Sequence, residues 1–259
     1  MYSLTYIILS LSFFIATILA EKITSPLIIL SVIVDDLGYH NVGWHQNITT
    51  NQPYYKKGLS PNENQTPHLT NLAHEGIILN RYYVHFTCSP SRSSYLTGRL
   101  PVHVQLTLAN PDVSSAGIPR NMTGLPHILA RSNFQSHMVG KYDMGFATYD
   151  HTPEGRGFNT SLVYAEHMNY YWTQHICPTG TACDMSKYSQ LVDLWDTGKG
   201  ASTLNGTKYI EYLFRDRLMD IINNYDGSHP LYIHYTPHVG HWPLQVPPEW
   251  YDQYLLWQR

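Results

Sequence analysis

Leu27-Ile-Ile-Leu-Ser-Val-Ile-Val34, followed at once by Asp35-Asp36-Leu37-Gly38, sets the fold class of this chain. An uninterrupted apolar, β-branched run of this length is the pattern of a central strand buried on both faces. In open α/β sheets, ligands gather beyond the carboxyl ends of strands. Asp35 and Asp36 therefore stand where a hard cation such as Ca²⁺ would be held, although a solvated turn or a helix cap also explains an Asp-Asp pair. Moving outward, Thr66-Pro67 to Gly76 carries the marks of a short helix: Thr66 as N-cap, Pro67 in the first turn, an apolar face of Leu69, Leu72 and Ala73, and Gly76 as the stop. Ile77–Leu79 and Tyr82–Phe86 are short extended candidates, Ser91–Thr97 a helix start, Leu125–Arg131 a helix and His137–Gly140 a strand. Residues 147–207, rich in Gly, Thr, Tyr and Asn, read mainly as loops. Lys208–Asn224 carries Ile210, Leu213, Phe214, Leu218, Ile221 and Ile222 as one stripe at helical spacing, and Leu231–Tyr235 follows as a strand. Helices alternating with apolar strands predict an α/β sandwich with a mostly parallel central sheet flanked by helices.

Composition narrows the function classes. Of 259 residues, 14% are charged and 43% hydrophobic, which gives enough apolar material for a large core and excludes global disorder. The net charge of −3, with no basic stripe, excludes a dedicated nucleic-acid binder. Residues 1–20 resemble a secretory signal peptide, with Ala16 and Ala20 near a cleavage point, leaving 21–259 as the mature domain. Their apolar run is shorter than the roughly 20 residues needed to cross a bilayer, so no stable membrane span is expected after cleavage. Behind such a leader, the N-x-S/T sequons at Asn47, Asn64, Asn121, Asn159 and Asn205 suggest a glycosylated protein of the secretory pathway. Cys177 and Cys183, close together in a polar loop, form the natural disulfide pair of an oxidising compartment, with two free thiols as the other reading. Cys88 is the odd cysteine.

Cys88-Ser-Pro-Ser-Arg92-Ser-Ser-Tyr-Leu-Thr-Gly98-Arg99 is the most informative stretch for chemistry. A lone cysteine sits where an extended segment turns into a helix, with an arginine one helical turn on. Helix N-terminal amides and a guanidinium around one side chain make an anion-binding arrangement. Taken alone, the cysteine reads as a thiolate nucleophile or as an inert buried thiol.

This stretch resembles the first signature of the type I sulfatases, in which the cysteine becomes formylglycine and its hydrated aldehyde is the nucleophile. Other blocks agree in order. Val34-Asp35-Asp36-Leu-Gly-Tyr resembles the family's first metal-binding strand end, and Thr66-Pro-His-Leu-Thr-Asn-Leu-Ala the helix before the nucleophile. His137-Met-Val-Gly-Lys141 resembles the start of the second signature. Arg156-Gly-Phe-Asn159 and His241-Trp-Pro-Leu-Gln-Val-Pro247 resemble later blocks, closest to the arylsulfatase B branch. The resemblance implies the N-terminal part of an alkaline-phosphatase-like α/β sandwich. It implies Asp35, Asp36 and Cys88 at a Ca²⁺ site, Arg92 holding the aldehyde hydrate, and Lys141 and His241 binding sulfate and assisting the leaving group. It implies, too, a formylglycine-generating enzyme as a partner during biosynthesis, a sulfated glycan or aryl sulfate as substrate, with N-acetylgalactosamine sulfate of glycosaminoglycans as the class, and a lysosomal or extracellular destination.

Two departures qualify this picture. The second signature's Gly-Lys-Trp-His-Leu-Gly reads here Gly140-Lys141-Tyr142-Asp143-Met144-Gly145, so the histidine that handles the nucleophile's proton is replaced by a carboxylate. Negative charge beside an anionic substrate is expected to raise the barrier. The family's Asp-Asn-Gly strand end and second sulfate lysine lie beyond the position of Arg259, so half of the metal site is expected to be missing. A non-catalytic protein that binds sulfated glycans is therefore the alternative. A phosphodiesterase or phosphatase of the same superfamily is disfavoured by the cysteine itself, because those enzymes typically place Thr or Ser there. His234 and His238 read as core or rim histidines.

Overall fold

The computed structural model describes residues 26–45, 66–107, 116–176 and 191–252. The leader at 1–20, the sequons at Asn47 and Asn64, and Cys177 and Cys183 lie outside them.

The described residues form one sheet of six strands, β1 (Ile28–Val32), β2 (Gln135–Lys141), β3 (Thr160–Tyr164), β4 (Trp195–Asp196), β5 (Lys199–Gly200) and β6 (Leu231–Thr236), in the order β1-β6-β2-β3-β4-β5. The first four strands of that order are parallel, and β4 and β5 add an antiparallel edge. The helices are α1 (Pro67–Glu75), α2 (Cys88–Thr97), α3 (Leu125–Ala130), α4 (Ile210–Asn223) and α5 (Pro248–Tyr251).

Alternation along the central strands divides the core. Val139 and Leu162 face Tyr171, Leu194, Ile210, Leu213 and Phe214, which seats the apolar stripe of α4 on one face. Met138 and Val163 face Leu96, Ile118, Tyr142, Met144 and Phe158, which seats α2 on the other. Each fully buried side chain of this size contributes about 1.5–3 kcal/mol.

The doubly buried strands are β2, β3 and β6, and not β1 as the apolar run predicts. β1 pairs only with β6, and Ile28 and Leu30 remain 55% and 54% exposed. The reason is that only one face of β1 is covered: Ile29 packs against the Met138 cluster, while the side chains alternating with it face outward. β6 is buried although it carries His234, because that ring lies 3.2 Å from the Ser31 hydroxyl and stacks on Tyr95 at 5.3 Å. Burial, aided by the Arg92 charge, pushes the His234 pKa down to about 3, so it is a neutral core histidine.

Other expectations shift locally. The 147–207 stretch contains β3 and the β4–β5 hairpin as well as loops, whereas Ile77–Leu79 and Tyr82–Phe86 form no strand and stand exposed. α1 starts at Pro67 as expected, but its apolar residues Leu69 and Leu72 stay largely uncovered. Gly98 ends α2 in a left-handed conformation at φ 67°, donating to the Ser94 carbonyl at 2.8 Å. Asn121 and Asn159 are exposed and Asn205 is half-buried. No described helix is long and apolar enough to cross a membrane. An open cleft of about 780 Å³ beside β1 is lined by Val32, Tyr82, Tyr83, Tyr95 and Leu100, and none of the charged groups considered below as site residues lines it.

Candidate active site

Four parallel strands deliver their carboxyl ends to one rim of the sheet, the place where such folds gather ligands. β1 runs on into Asp35 and Asp36, β2 ends at Lys141, β3 runs on into Ala165, Glu166 and His167, and β6 into His238 and His241. Helix α2 starts at the same rim with Cys88, a free cysteine of intermediate exposure, as its first residue.

Two cations are buried there. Arg92, 2% exposed, follows Cys88 by one turn of α2, so the helix itself fixes their spacing. Its Nη1 donates to the Lys141 carbonyl at 3.0 Å, and its Nη2 lies 3.5 Å from Asp35 Oδ2. Its Nε and Nη2 lack a hydrogen bond among the described residues, which leaves donors for an anion. Lys141 is fully buried, with Nζ 2.6 Å from Asp35 Oδ2 and 3.4 Å from Asp143 Oδ2. Burial alone would push the ammonium down, but Asp143 and Asp35 hold its pKa above the usual lysine range. Burial likewise pushes Asp35 up, and Lys141 and Arg92 outweigh it, so this carboxylate sits below its usual range.

Asp143 is buried at φ 51°, a left-handed conformation uncommon for a residue with a side chain. Its Oδ1 accepts from Ser89 Oγ at 2.7 Å and from His167 Nδ1 at 2.6 Å. Burial pushes this carboxylate up, but Lys141 and His167, which flank it, outweigh that effect and hold it well below its ordinary range. Burial would lower the His167 pKa, but the Asp143 hydrogen bond and charge carry it to about 10.

His241 turns Nε2 toward Asp36 Oδ2 at 3.8 Å and Asp35 Oδ2 at 4.0 Å, while its Nδ1 donates to the Trp242 carbonyl at 2.7 Å. His238 is stacked on Tyr171 at 3.9 Å, and burial with the Lys141 charge pushes its pKa down to about 2. Its backbone amide and that of Val239 donate to Glu211 Oε1, so α4 anchors the loop that carries His241. Burial, only partly opposed by these bonds, raises the Glu211 pKa.

The structure thus brings Asp35, Arg92, Lys141 and His241 together, with Asp36 at the rim, its side chain 64% exposed. Ca²⁺ takes six to eight oxygens. Asp35 is engaged by two cations and Asp36 faces outward, so among the described residues these two carboxylates do not by themselves make such a cage. The described residues gather three ligand-type side chains at Cys88, Asp143 and His167, with donor atoms within 4.8 Å of one another, and not at Asp35, Asp36 and Cys88. His167 escapes sequence reasoning because β3 does; once that strand is recognised, a histidine three residues past its carboxyl end is the signal.

Comparison with known proteins agrees with this geometry. The family model described as Sulfatase matches residues 27–258. The chain is 29% identical over 233 residues to arylsulfatase J of Mus musculus, covering 89% of this chain and 35% of that protein. It is 29% identical over 149 residues to N-acetylgalactosamine-6-sulfatase of Homo sapiens, covering 54% of this chain and 26% of that protein. Among solved structures, Ps i-CgsB in complex with k-i-k-neocarrahexaose is similar at a TM-score of 0.67 and 23% identity, over 90% of this chain and 49% of that one. The PsFucS1 sulfatase from Pseudoalteromonas sp. is similar at 0.63 and 20%, over 90% and 48%. The chain therefore spans about a third of the first of these curated relatives and about half of these structures, which share the alkaline-phosphatase-like α/β fold. With a family match running from β1 to beyond α5, the chain belongs to the sulfatase family.

Proposed function

We propose that this chain carries the sulfate-cleaving centre of a sulfuric ester hydrolase of the arylsulfatase type, with Cys88 converted to formylglycine by a formylglycine-generating enzyme. The observation that carries the reading is the burial of Arg92 and Lys141 beside Cys88 at the strand ends, since a sulfate ester is anionic and its oxygens need fixed cations in a site of low dielectric. The modified residue supplies a hydrated aldehyde as the oxygen nucleophile. Arg92 orients that group through the turn of α2 they share. Lys141 Nζ offsets charge on the sulfuryl oxygens, and His241 Nε2 delivers a proton to the leaving oxygen. Asp35 and Asp36 contribute carboxylate oxygens to a Ca²⁺ site, whose charge would add to that of the two side chains. Sulfated N-acetylgalactosamine of glycosaminoglycans is the substrate class. The setting is the secretory pathway, ending in the lysosome or outside the cell, with residues 1–20 as leader, 21–259 as the N-terminal part of a sulfatase domain, a Cys177–Cys183 disulfide and glycans at the sequons.

A second reading, a non-catalytic binder of sulfated glycans, is favoured by one contact: Lys141 Nζ is already paired with Asp35 at 2.6 Å. The full chain co-expressed with the modifying enzyme separates the two. Mass spectrometry of the peptide containing Cys88 is expected to show the aldehyde, and the same material is expected to hydrolyse a generic aryl sulfate. A persistent thiol overturns the proposal, and conversion without hydrolysis favours the binder.

A further inference from the structure

Position 143 holds an aspartate where the second signature carries histidine, yet an imidazole reaches the nucleophile from elsewhere. Beyond the paired strands, β2 and β3 continue to zip together: Tyr142 N donates to the Tyr164 carbonyl at 2.9 Å and Asp143 N to the Ala165 carbonyl at 3.2 Å. That continuation carries position 143 alongside the segment leading to His167. The buried Asp193 carboxylate then straps the segment, accepting from Ala165 N at 2.7 Å and Glu166 N at 3.0 Å. On the far side, Asn169 Nδ2 donates to the Asp193 carbonyl at 3.2 Å. His167 is thus fixed on both flanks by one residue, and its Nδ1 is tied to Asp143 at 2.6 Å.

We infer that His167 is the imidazole that serves the nucleophile at residue 88, and that Asp143 and Asp193 are the residues that position it. The inference rests on the sulfatase reading above and deepens it. A ring nitrogen of His167, a carboxylate oxygen of Asp143 and the Cys88 sulfur lie within 4.8 Å of one another. Ser89 and His167 both donate protons into Asp143 Oδ1, so this oxygen works as a hydrogen-bond acceptor in a network rather than as an open metal ligand. With Nδ1 engaged by Asp143, Nε2 is the nitrogen left to hydrogen-bond the reacting oxygen and exchange its proton, and Asp143 is the carboxylate that orients the ring. Asp143 and His167 together replace one histidine with two residues from two strand ends.

The test uses the full chain in two forms. Made without the modifying enzyme, the chain keeps the Cys88 thiol, and its alkylation by iodoacetamide reports the imidazole directly; His167→Gln is expected to slow it at least about tenfold. In converted chain, with aldehyde content first quantified by mass spectrometry, His167→Gln is expected to lower kcat for an aryl sulfate by about 10²- to 10⁴-fold while KM changes little. Asp143→Asn is expected to lower kcat less, and added imidazole to restore part of it in His167→Gly. Alkylation and kcat that are unchanged in His167→Gln overturn the inference, as does a His167→Gly chain that imidazole leaves unchanged. If converted wild-type chain hydrolyses no aryl sulfate, the sulfatase reading fails by itself, and thiol alkylation still decides the placement of His167.

Discussion

Lys141 Nζ stands 2.6 Å from Asp35 Oδ2, so the last residue of β2 is tied to the segment leaving β1 across the intervening strand β6. Removing one partner of a buried pair leaves an uncompensated charge, at a cost of about 3–5 kcal/mol. Asp35→Asn is expected to lose somewhat less, near 3 kcal/mol by the same scale, because Asp143 still faces the ammonium at 3.4 Å. Urea denaturation reads this directly, and a midpoint equal to wild type would show that the contact contributes nothing.

The Asp143–His167 pair makes stability depend on alkaline pH. Its histidine titrates near 10 in the folded chain and near 6.5 unfolded. A folded pKa above the unfolded one gives stability that is complete below about 6.5 and is lost as pH rises through about 10. Melting temperature is expected to fall across that window in wild type and to be much flatter in Asp143→Asn. Parallel curves would sink the assignment.

Among the described glycines, Gly140 leaves the least room for an added side chain. Its φ is 114°, and a Cβ there would lie 1.9 Å from the Thr236 carbonyl oxygen. Gly140→Ala is expected to part β2 from β6 and abolish soluble expression. Gly198→Ala is the matched control, at φ 86° with no atom near the added carbon. Its cost is confined to left-handed strain of about 1–2 kcal/mol. Equal yields of the two variants would refute the steric argument.

Glu211 ties α4 to the loop carrying His241. Glu211→Ala leaves the amides of His238 and Val239 without their acceptor and is expected to cost about 1–3 kcal/mol. Glu211→Gln, which keeps an acceptor oxygen, is expected to cost less. Chemical denaturation of both variants checks the order.

Much of this architecture is legible in the sequence. Asp35 and Arg92 are found because each sits at a local transition, the end of an apolar strand or the start of a helix, which leaves a mark in the chain itself, whereas Lys141 is named only through the resemblance of Gly140-Lys141 to the second signature. β3 is missed because its five residues lie between Asn159 and Ala165 inside a stretch of loop composition, and with it goes His167. β1 is misjudged for a different reason. An apolar run states what a strand can bury, whereas what covers it is decided by other elements. β6 is buried despite His234 because Ser31 and Tyr95, remote in sequence, give that ring its partners.

The single-sided pairing of β1 divides the site by protection. Asp35 and Asp36 follow a strand that pairs in the sheet with β6 alone, whereas Lys141 ends a strand flanked on both sides and Arg92 lies on a buried helix turn. Local opening follows the weakest attachment. Amides of β1 should therefore exchange with deuterium ahead of those of β2, and the acidic half of the centre can come away in a partial unfolding event that leaves its cationic half assembled.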